Sequence, residues 1–291
     1  MCMVAVCLVL LAAVGCDRFC PTEPRYDCDP AWSPDGHTIA YVHRYPGTPG
    51  LYLVDLASGS RRLVLEGDLG NPTWSPNGEW LAFCDYGDAQ LCKVRRNGDS
   101  LTRLTSESWN FHPDWSVLDR VAYDSNLNDP RGAHVIWTMA PDGSEKRDIS
   151  EHGVGEWRNP SWSPDGAKLV FYRYYPGGQH NPDLATMDSV GLQQERLTDD
   201  TCDLRSPKWS PDGQHIAVSR NASLGVLDLA SMEWTVLVHG RVLSLCWAPD
   251  GEKLCFCQEL PADPNPGEEA PPTGLLWLID RDGSSVQMLL K

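Results

Sequence analysis

One short phrase, Trp-Ser-Pro-Asp-Gly, recurs along the chain and constrains its fold more than any other feature. The phrase is a turn signature, because proline fixes φ at the second turn position and glycine accepts the positive φ that closes the turn. An apolar segment follows, as at residues 168–172 after the copy at 162–166. Each copy therefore predicts a strand, a tight turn and a second strand.

The copies are regularly spaced and can be followed by their tryptophans. The six residues are Trp32, Trp74, Trp115, Trp162, Trp209 and Trp247, at intervals of 42, 41, 47, 47 and 38 residues. The copy at 115–119 lacks both the turn proline and the glycine. A motif that repeats roughly every 40–50 residues is typical of propellers and solenoids.

Each repeat also contains a second hairpin, for example from 51–56 into 62–64. Two hairpins make a four-stranded blade, so the sequence predicts an all-β fold, a six-bladed β-propeller of four-stranded antiparallel blades. The motif strand should then be innermost, along the central channel. We expect the six tryptophans to be structural residues that pack between adjacent blades.

The first residues differ from the repeats. Residues 3–14 are an unbroken apolar run that ends in Ala-Val-Gly before Cys16. The run is too short to span a bilayer as a helix, and its end resembles a bacterial lipobox. We predict a signal peptide at 1–15, a lipidated Cys16 with a short tether at 16–25, and the propeller at 26–291. The alternatives are an ordinary cleaved signal peptide and an uncleaved hydrophobic anchor.

The predicted signal peptide and lipid anchor would place the protein at the periplasmic or cell-surface face of a bacterial membrane. The chain carries a formal charge of −16 and has a pI near 4.8. This acidity argues against nucleic acid as a partner and against electrostatic attachment to anionic lipid. Because of this acidity, we expect the protein to contact the membrane only through its N-terminal lipid. We also expect it to be a monomer.

Eight cysteines follow Cys16, and an even number in an exported chain permits disulfides. They are Cys20, Cys28, Cys84, Cys92, Cys202, Cys246, Cys255 and Cys257. Three candidate pairs are Cys84–Cys92 across a short loop, Cys20–Cys28 near the N-terminus, and Cys246–Cys255 on neighbouring strands. The alternative is that several are buried free thiols. The chain has no Cys-x-x-Cys pair, and no structural metal or cofactor is predicted.

Two sets of residues should share one face of the propeller. A polar side chain stands three residues before each motif tryptophan, and these residues should ring one mouth of the channel: Asp29, Asn71, His112, Asn159, Ser206 and Ser244. The loops between second and third strands add Arg44, Tyr45, Arg173, Tyr174 and Tyr175. Loops on a rigid scaffold often carry recognition, and Arg and Tyr are favoured at binding hot spots. Both sets are candidate binding residues; the ring could instead be a hydrated channel lining.

The repeat, with an Ile/Leu-Ala-Tyr/Phe strand after the turn, resembles that of TolB-type (WD40-like, PD40) six-bladed β-propellers. Residues 30–41, 72–83, 160–171 and 207–218 carry it. The resemblance covers about nine-tenths of the chain and implies the fold. TolB proteins carry a separate domain ahead of the propeller, for which this sequence shows no counterpart. We therefore expect an exported lipoprotein of the family rather than TolB itself.

The predicted function is non-catalytic binding or scaffolding in the cell envelope, with recognition of a protein, peptide or glycan through the loop face and channel mouth. No catalytic residue is assigned. Similar repeats occur in oligogalacturonate lyases, so the alternative is a metal-assisted polysaccharide lyase or hydrolase with His112 and His180 near the channel mouth. His43 falls on a loop of the same face. Peptidases with similar propellers would need a Gly-x-Ser-x-Gly elbow, and this sequence contains none.

Overall fold

The computed structural model describes residues 27–44, 47–129, 131–150, 155–174, 182–199, 202–259 and 275–290. Within these ranges there are six antiparallel sheets of four strands each and no helix. The predicted six-bladed propeller is confirmed. In the described ranges no helix is long and apolar enough to cross a membrane. Cys16 and the predicted signal peptide and tether lie outside the described residues.

The strands of each blade pair in chain order, and the first strand of each blade contacts the first strands of its neighbours around the channel. Blades one to three consist of β1 (Asp27–Trp32), β2 (Thr38–His43), β3 (Gly50–Asp55) and β4 (Arg61–Glu66); β5 (Leu69–Trp74), β6 (Trp80–Asp85), β7 (Gln90–Arg95) and β8 (Thr102–Arg103); and β9 (Asn110–Trp115), β10 (Val121–Ser125), β11 (Val135–Met139) and β12 (Arg147–Asp148). Blades four to six consist of β13 (Glu156–Trp162), β14 (Lys168–Tyr174), β15 (Asp183–Asp188) and β16 (Glu195–Arg196); β17 (Leu204–Trp209), β18 (His215–Arg220), β19 (Ser223–Asp228) and β20 (Trp234–His239); and β21 (Val242–Trp247), β22 (Lys253–Gln258), β23 (Leu275–Asp280) and β24 (Gln287–Met288).

The motif turn joins the first two strands of a blade, and each of its residues has a distinct role. In blade four the Ser163 hydroxyl donates to Asp165 Oδ1 at 2.6 Å and accepts the Lys168 N–H at 2.8 Å. Gly166 takes a φ of 70°. In blade three Asp119 occupies the glycine position with a φ of 59°, and its carboxylate accepts the Trp115 indole N–H at 2.8 Å. The degraded copy therefore still forms the turn.

The hydrophobic core lies at the seams between blades. The buried apolar residues of the described chain fall into six clusters, and each cluster joins the facing sides of two neighbouring blades. Each motif tryptophan belongs to the cluster at the seam with the preceding blade. Three of the indoles also donate to a backbone carbonyl of that blade, as Trp74 does to Ala31 at 3.0 Å.

The ring closes by packing of blade six against blade one. Among the described residues no strand is shared between these two blades. Their seam contains Cys28, Ile39 and Tyr41 from blade one, and Cys255 and Leu276 from blade six.

The seven described cysteines are all buried free thiols. The predicted Cys84–Cys92 pair is wrong, because Cys84 stands opposite Leu91 in the hairpin and Cys92 opposite Phe83. Alternation along the strands puts the two sulfurs on opposite faces of blade two, in different core clusters. Cys246 and Cys255 are direct partners in the register but are not bonded. Cys20 lies outside the described residues.

Candidate functional site

The ring of polar residues around the channel mouth is built on β-bulges. Asp29, Asn71, His112, Asn159 and Ser206 have φ between 50° and 59°, and the strand register shifts at each of them. Each precedes a proline, which cannot donate to a ladder and is tolerated where pairing is interrupted. Asn, Asp and His accept positive φ more readily than most residues. Ser244 precedes leucine instead and pairs directly with Cys257.

Ring residues hydrogen-bond from blade to blade. The Ser244 hydroxyl of blade six accepts the Asp29 N–H of blade one at 2.9 Å, and the Asp29 carboxylate accepts the Asn71 N–H of blade two at 3.2 Å. The Asn71 side chain in turn accepts the Tyr86 hydroxyl at 2.9 Å. Five of the six ring residues are half-buried and Ser244 is buried. The ring therefore forms a rigid polar mouth with partial access to solvent.

Blade three adds a charged centre to this mouth. The carboxylate of Asp124 is fully buried and contacts the Nδ1 atoms of His112 at 2.6 Å and His134 at 2.8 Å. It also accepts the Asn159 N–H of blade four at 3.1 Å. Burial alone would raise the pKa of Asp124, but the two imidazoles outweigh it and hold that pKa well below its ordinary value. A carboxylate thus sits at the seam of blades three and four.

Asp124 and His134 were not singled out from the sequence. The sequence feature that could have identified Asp124 is the second strand of blade three, Val-Ala-Tyr-Asp-Ser, in which every residue is buried. A carboxylate in the middle of a fully buried strand needs a partner of opposite charge or several hydrogen-bond donors. Pairing it with His134 required the position of the loop before β11, which no local pattern specifies.

The two predicted arginines are placed differently from the expectation of an exposed surface. Arg44 is 9% exposed and Arg173 is 8% exposed. Arg44 donates to Asp68 and to the carbonyl of Leu69, both at 3.0 Å, and Arg173 lies over the ring of Trp157 at 4.5 Å. These guanidinium groups hold loops together and are not exposed contacts. Tyr174 is half-buried, and Tyr45 and Tyr175 lie outside the described residues.

The described histidines of the predicted set belong to separate centres. His43 contacts Asp27 at 2.6 Å in blade one, whereas His112 shares Asp124 with His134 in blade three. His180 lies outside the described residues. In the part of the chain that the structure describes, no three His, Cys, Asp or Glu side chains are grouped so that they could hold a metal ion.

One ion pair links non-adjacent blades across the channel wall. Lys208 of blade five donates to Asp114 Oδ1 of blade three at 2.9 Å. The other oxygen of Asp114 accepts the Trp162 N–H of blade four at 2.8 Å, and its backbone carbonyl accepts the Trp162 indole at 3.1 Å. Asp114 therefore ties three blades together below the mouth.

An outer rim surrounds the mouth, formed by the residue six positions before each motif tryptophan. In four blades this residue is charged and paired: Asp68 with Arg44, Glu156 with Arg158, Asp203 with Arg205, and Arg241 with Glu259. The equivalence is structural, since the carbonyls of Asp68, Trp109, Asp203 and Arg241 all accept the N–H that follows the second strand. Blade three alone among the described rim positions has an aromatic residue, Trp109, which is 44% exposed.

The loop that presents Trp109 is fixed from beneath. Buried Asn110 donates to the Glu107 carbonyl at 2.8 Å, and Gln90 donates to the Ser108 carbonyl at 2.7 Å. The Trp109 N–H donates to the Asn126 side chain at 2.8 Å. Trp109 is not among the residues predicted from the sequence. Its position relative to Trp115, compared with the charged rim residues of the other repeats, would have identified it.

Relatives match by sequence over part of the chain, among them the following two. The uncharacterized protein Atu1656 of Agrobacterium fabrum is 32% identical over 158 residues, which are 50% of this chain and 54% of that protein. The oligogalacturonate lyase of Dickeya dadantii is 29% identical over 138 residues, which are 43% of this chain and 34% of the lyase. The chain thus spans about half, or less, of the length of the curated relatives it matches.

Solved structures agree on the fold. TolB from Acinetobacter baumannii has a TM-score of 0.66 and 16% identity, with 89% of this chain and 62% of that chain covered. At this identity the likeness concerns the fold alone. The model of the TolB beta propeller domain family matches residues 26–181. Because this match covers more than half of the sequence, the chain belongs to the TolB β-propeller domain family.

Proposed function

We propose that the protein is a non-catalytic binding propeller of the cell envelope that recognises a protein, peptide or glycan through the face that carries the channel mouth. In this proposal residues 1–15 direct export, Cys16 carries the lipid anchor, residues 16–25 are the tether, and 26–291 form a monomeric propeller. The family shares its repeat with TolB, a propeller of the same architecture.

The observation that carries the proposal is the exposed Trp109 on a rim of ion pairs. Tryptophan is enriched among the few residues that supply most of the energy of an interface. Its loop is held by Asn110, Gln90 and Asn126 before any ligand binds, so little conformational entropy is lost on binding. The neighbouring paired charges offer donors and acceptors at fixed positions.

Site-specific photo-crosslinking in cells of the native organism tests this surface. A photoreactive residue replaces exposed Glu107 on the rim loop or, as the control, exposed Val117 on the opposite turn. We expect an adduct from position 107 that disappears when Trp109→Ala is added, and none from position 117. Equal adducts from both positions, or an adduct that persists without Trp109, would overturn the assignment.

The mature N-terminus is tested separately by intact mass. A diacylated or triacylated Cys16 supports the anchor, because two or more chains are needed for stable attachment. An N-terminus without lipid removes the anchor from the proposal and leaves the rim surface to be judged by crosslinking.

A second candidate function, a polysaccharide lyase or hydrolase, is favoured by one observation. The His112 imidazole is oriented through Nδ1 by a buried carboxylate and its side chain is 19% exposed at the mouth, as a general base would require. The Dickeya dadantii relative is an oligogalacturonate lyase. The described residues supply no three-ligand metal group, so we derive no step through a metal.

Turnover of polygalacturonate oligomers, with and without added divalent cations, separates the two functions. We expect no product from the wild type. Turnover that is abolished by His112→Ala and retained by Trp109→Ala would replace the binding function by the enzymatic one.

A further inference from the structure

The seam between blades six and one is rich in thiols. Its core cluster contains Cys28 of blade one and Cys246, Cys255 and Cys257 of blade six, with exposed fractions of 3%, 8%, 0% and 0%. The other core clusters of the described chain contain at most one cysteine each. A hydrophobic seam does not need four sulfurs.

A repeated hydrogen bond places one of these sulfurs. In three blades a side chain of the second strand donates to the first carbonyl of the next blade's inner strand: Cys84 to Asn110 at 3.4 Å, Ser219 to Val242 at 2.8 Å, and Cys257 to Asp27 at 3.1 Å. The residue after that carbonyl is Phe111 or Leu243 in the first two seams. In the third it is Cys28. Cys257 therefore reaches the peptide group that joins Asp27 to Cys28.

The other candidate pair, Cys246 and Cys255, is in side-chain contact but stands at a register position that is unfavourable for a disulfide. Ala248 N–H donates to the Lys253 carbonyl at 2.8 Å, so two residues further along the ladder Cys246 and Cys255 form a hydrogen-bonded pair. Directly opposite residues of this type have Cβ atoms toward the far end of the roughly 4.5–5.5 Å range, whereas a disulfide needs about 3.5–4.5 Å. Cys28 and Cys257 lie on different sheets, so no shared ladder fixes their separation. The Cys28 sulfur accepts the Arg44 Nε–H at 3.3 Å, and this contact would have to change when the bond forms.

We propose that Cys28 and Cys257 form a disulfide that fastens blade six to blade one. The reaction is thiol–disulfide exchange with a small or protein disulfide as oxidant. The thiolate of one cysteine attacks the oxidant's disulfide and releases one thiol. The second cysteine then attacks the mixed disulfide and releases the other, so that the protein loses two hydrogens and the oxidant gains two. The bond requires an oxidising compartment, and in that respect alone it rests on the proposed export.

The bond has to form before the seam is packed. Burial raises the pKa of the Cys28 and Cys257 thiols, and for Cys28 it outweighs the nearby Arg44 guanidinium, so the thiolate needed for exchange is scarce in the folded state. The oxidant therefore acts while blade one and blade six are approaching each other. Once closed, the disulfide is shielded from reductants by the same burial.

The test supplies the oxidant in vitro, so that its outcome does not depend on export. The propeller is refolded from the reduced, unfolded state in a glutathione redox buffer, unfolded again in the presence of an alkylating reagent, and mapped by peptide mass. We expect one cross-linked peptide pair containing Cys28 and Cys257, two hydrogens lighter than the thiols. Reduction should lower the thermal midpoint by about 5–10 °C.

Two variants control the result. Cys257→Ser keeps the hydrogen bond that Ser219 makes in blade five, so it should fold, contain no disulfide, and show the same midpoint with and without reductant. Cys84→Ser changes the matched sulfur at the seam of blades two and three and should leave the Cys28–Cys257 link intact. Complete alkylation of all thiols in refolded wild type, or a link between Cys246 and Cys255 instead, would overturn the proposal.

Discussion

Blades three and four are adjacent copies of one repeat, but only blade three departs from it, and it does so at both ends. Blade four keeps the motif turn intact and has an ordinary paired charge, Glu156, at the rim. Blade three has lost the turn proline and glycine, and at the mouth it carries Trp109 and the buried Asp124. The turn survives because Asp119 accepts the positive φ. The turn therefore maintains the architecture even where its sequence is altered, whereas the departures of blade three at the mouth change the charge and shape of that face.

The largest effect is expected from the motif tryptophans. Trp162→Ala and Trp115→Ala should each lower the free energy of unfolding by about 3–5 kcal/mol, since both rings are buried at a seam. The loss for Trp162→Ala should be about 1 kcal/mol larger, because the Trp162 indole donates to blade three, whereas that of Trp115 donates to its own turn. Chemical denaturation measures both. Equal losses would show that the inter-blade hydrogen bond contributes no more than the one within the turn.

The second-largest effect is expected at the Asp124 centre of blade three, which blade four lacks. Asp124→Asn keeps the volume of the side chain but removes the charge that both imidazoles contact, so we expect a loss of about 2–4 kcal/mol at pH 7. The control is Asp165→Asn in the exposed turn of blade four, which should cost less than about 1 kcal/mol. A loss at Asp124 no larger than at Asp165 would contradict a structural carboxylate.

The pH dependence of the stability of Asp124→Asn tests the direction of the Asp124 pKa shift. The folded pKa of Asp124 lies below its unfolded value of about 3.9, so its contribution is complete well above that pH and is lost as the pH falls toward the folded pKa. The difference in unfolding free energy between wild type and Asp124→Asn should therefore shrink as the pH falls below about 4, where the unfolded carboxyl binds its proton. A difference that widens over that range would show the opposite sign of the shift.

The smallest effect is expected from a substitution that restores the turn motif of blade three. Val117→Pro restores the residue found at this position in the other five repeats and should raise stability by about 0.4–1 kcal/mol, mainly by restricting the unfolded chain. Leu118→Pro is the matched control and should destabilise, because proline is disfavoured at the third position of such a turn. Thermal unfolding distinguishes the two. A Val117→Pro midpoint at or below that of the wild type would mean that blade three has adapted to its altered turn.

The fold could be predicted because every blade repeats the same local signals. Pro164 and Gly166 define a turn within four residues, and the spacing of the tryptophans counts the blades. The ring residues could be placed at the mouth because they hold a fixed position relative to those tryptophans. The state of Arg44 was not predictable, because its burial depends on Asp68 and Tyr86 of the next blade. The partnership of Asp124 with His134 likewise depends on a loop conformation.

In the described part of the chain the ring closes without a shared strand, and this has a kinetic consequence. Contacts between neighbours along the chain join residues fewer than fifty apart, as for Trp162 and Asp114, whereas Asp29 and Ser244 are 215 apart. Closing the longer loop costs roughly 1 kcal/mol more in chain entropy. Five seams can thus assemble progressively, and the sixth must wait for all of them. We expect this seam to be the last to fold and the first to exchange its amide protons with solvent.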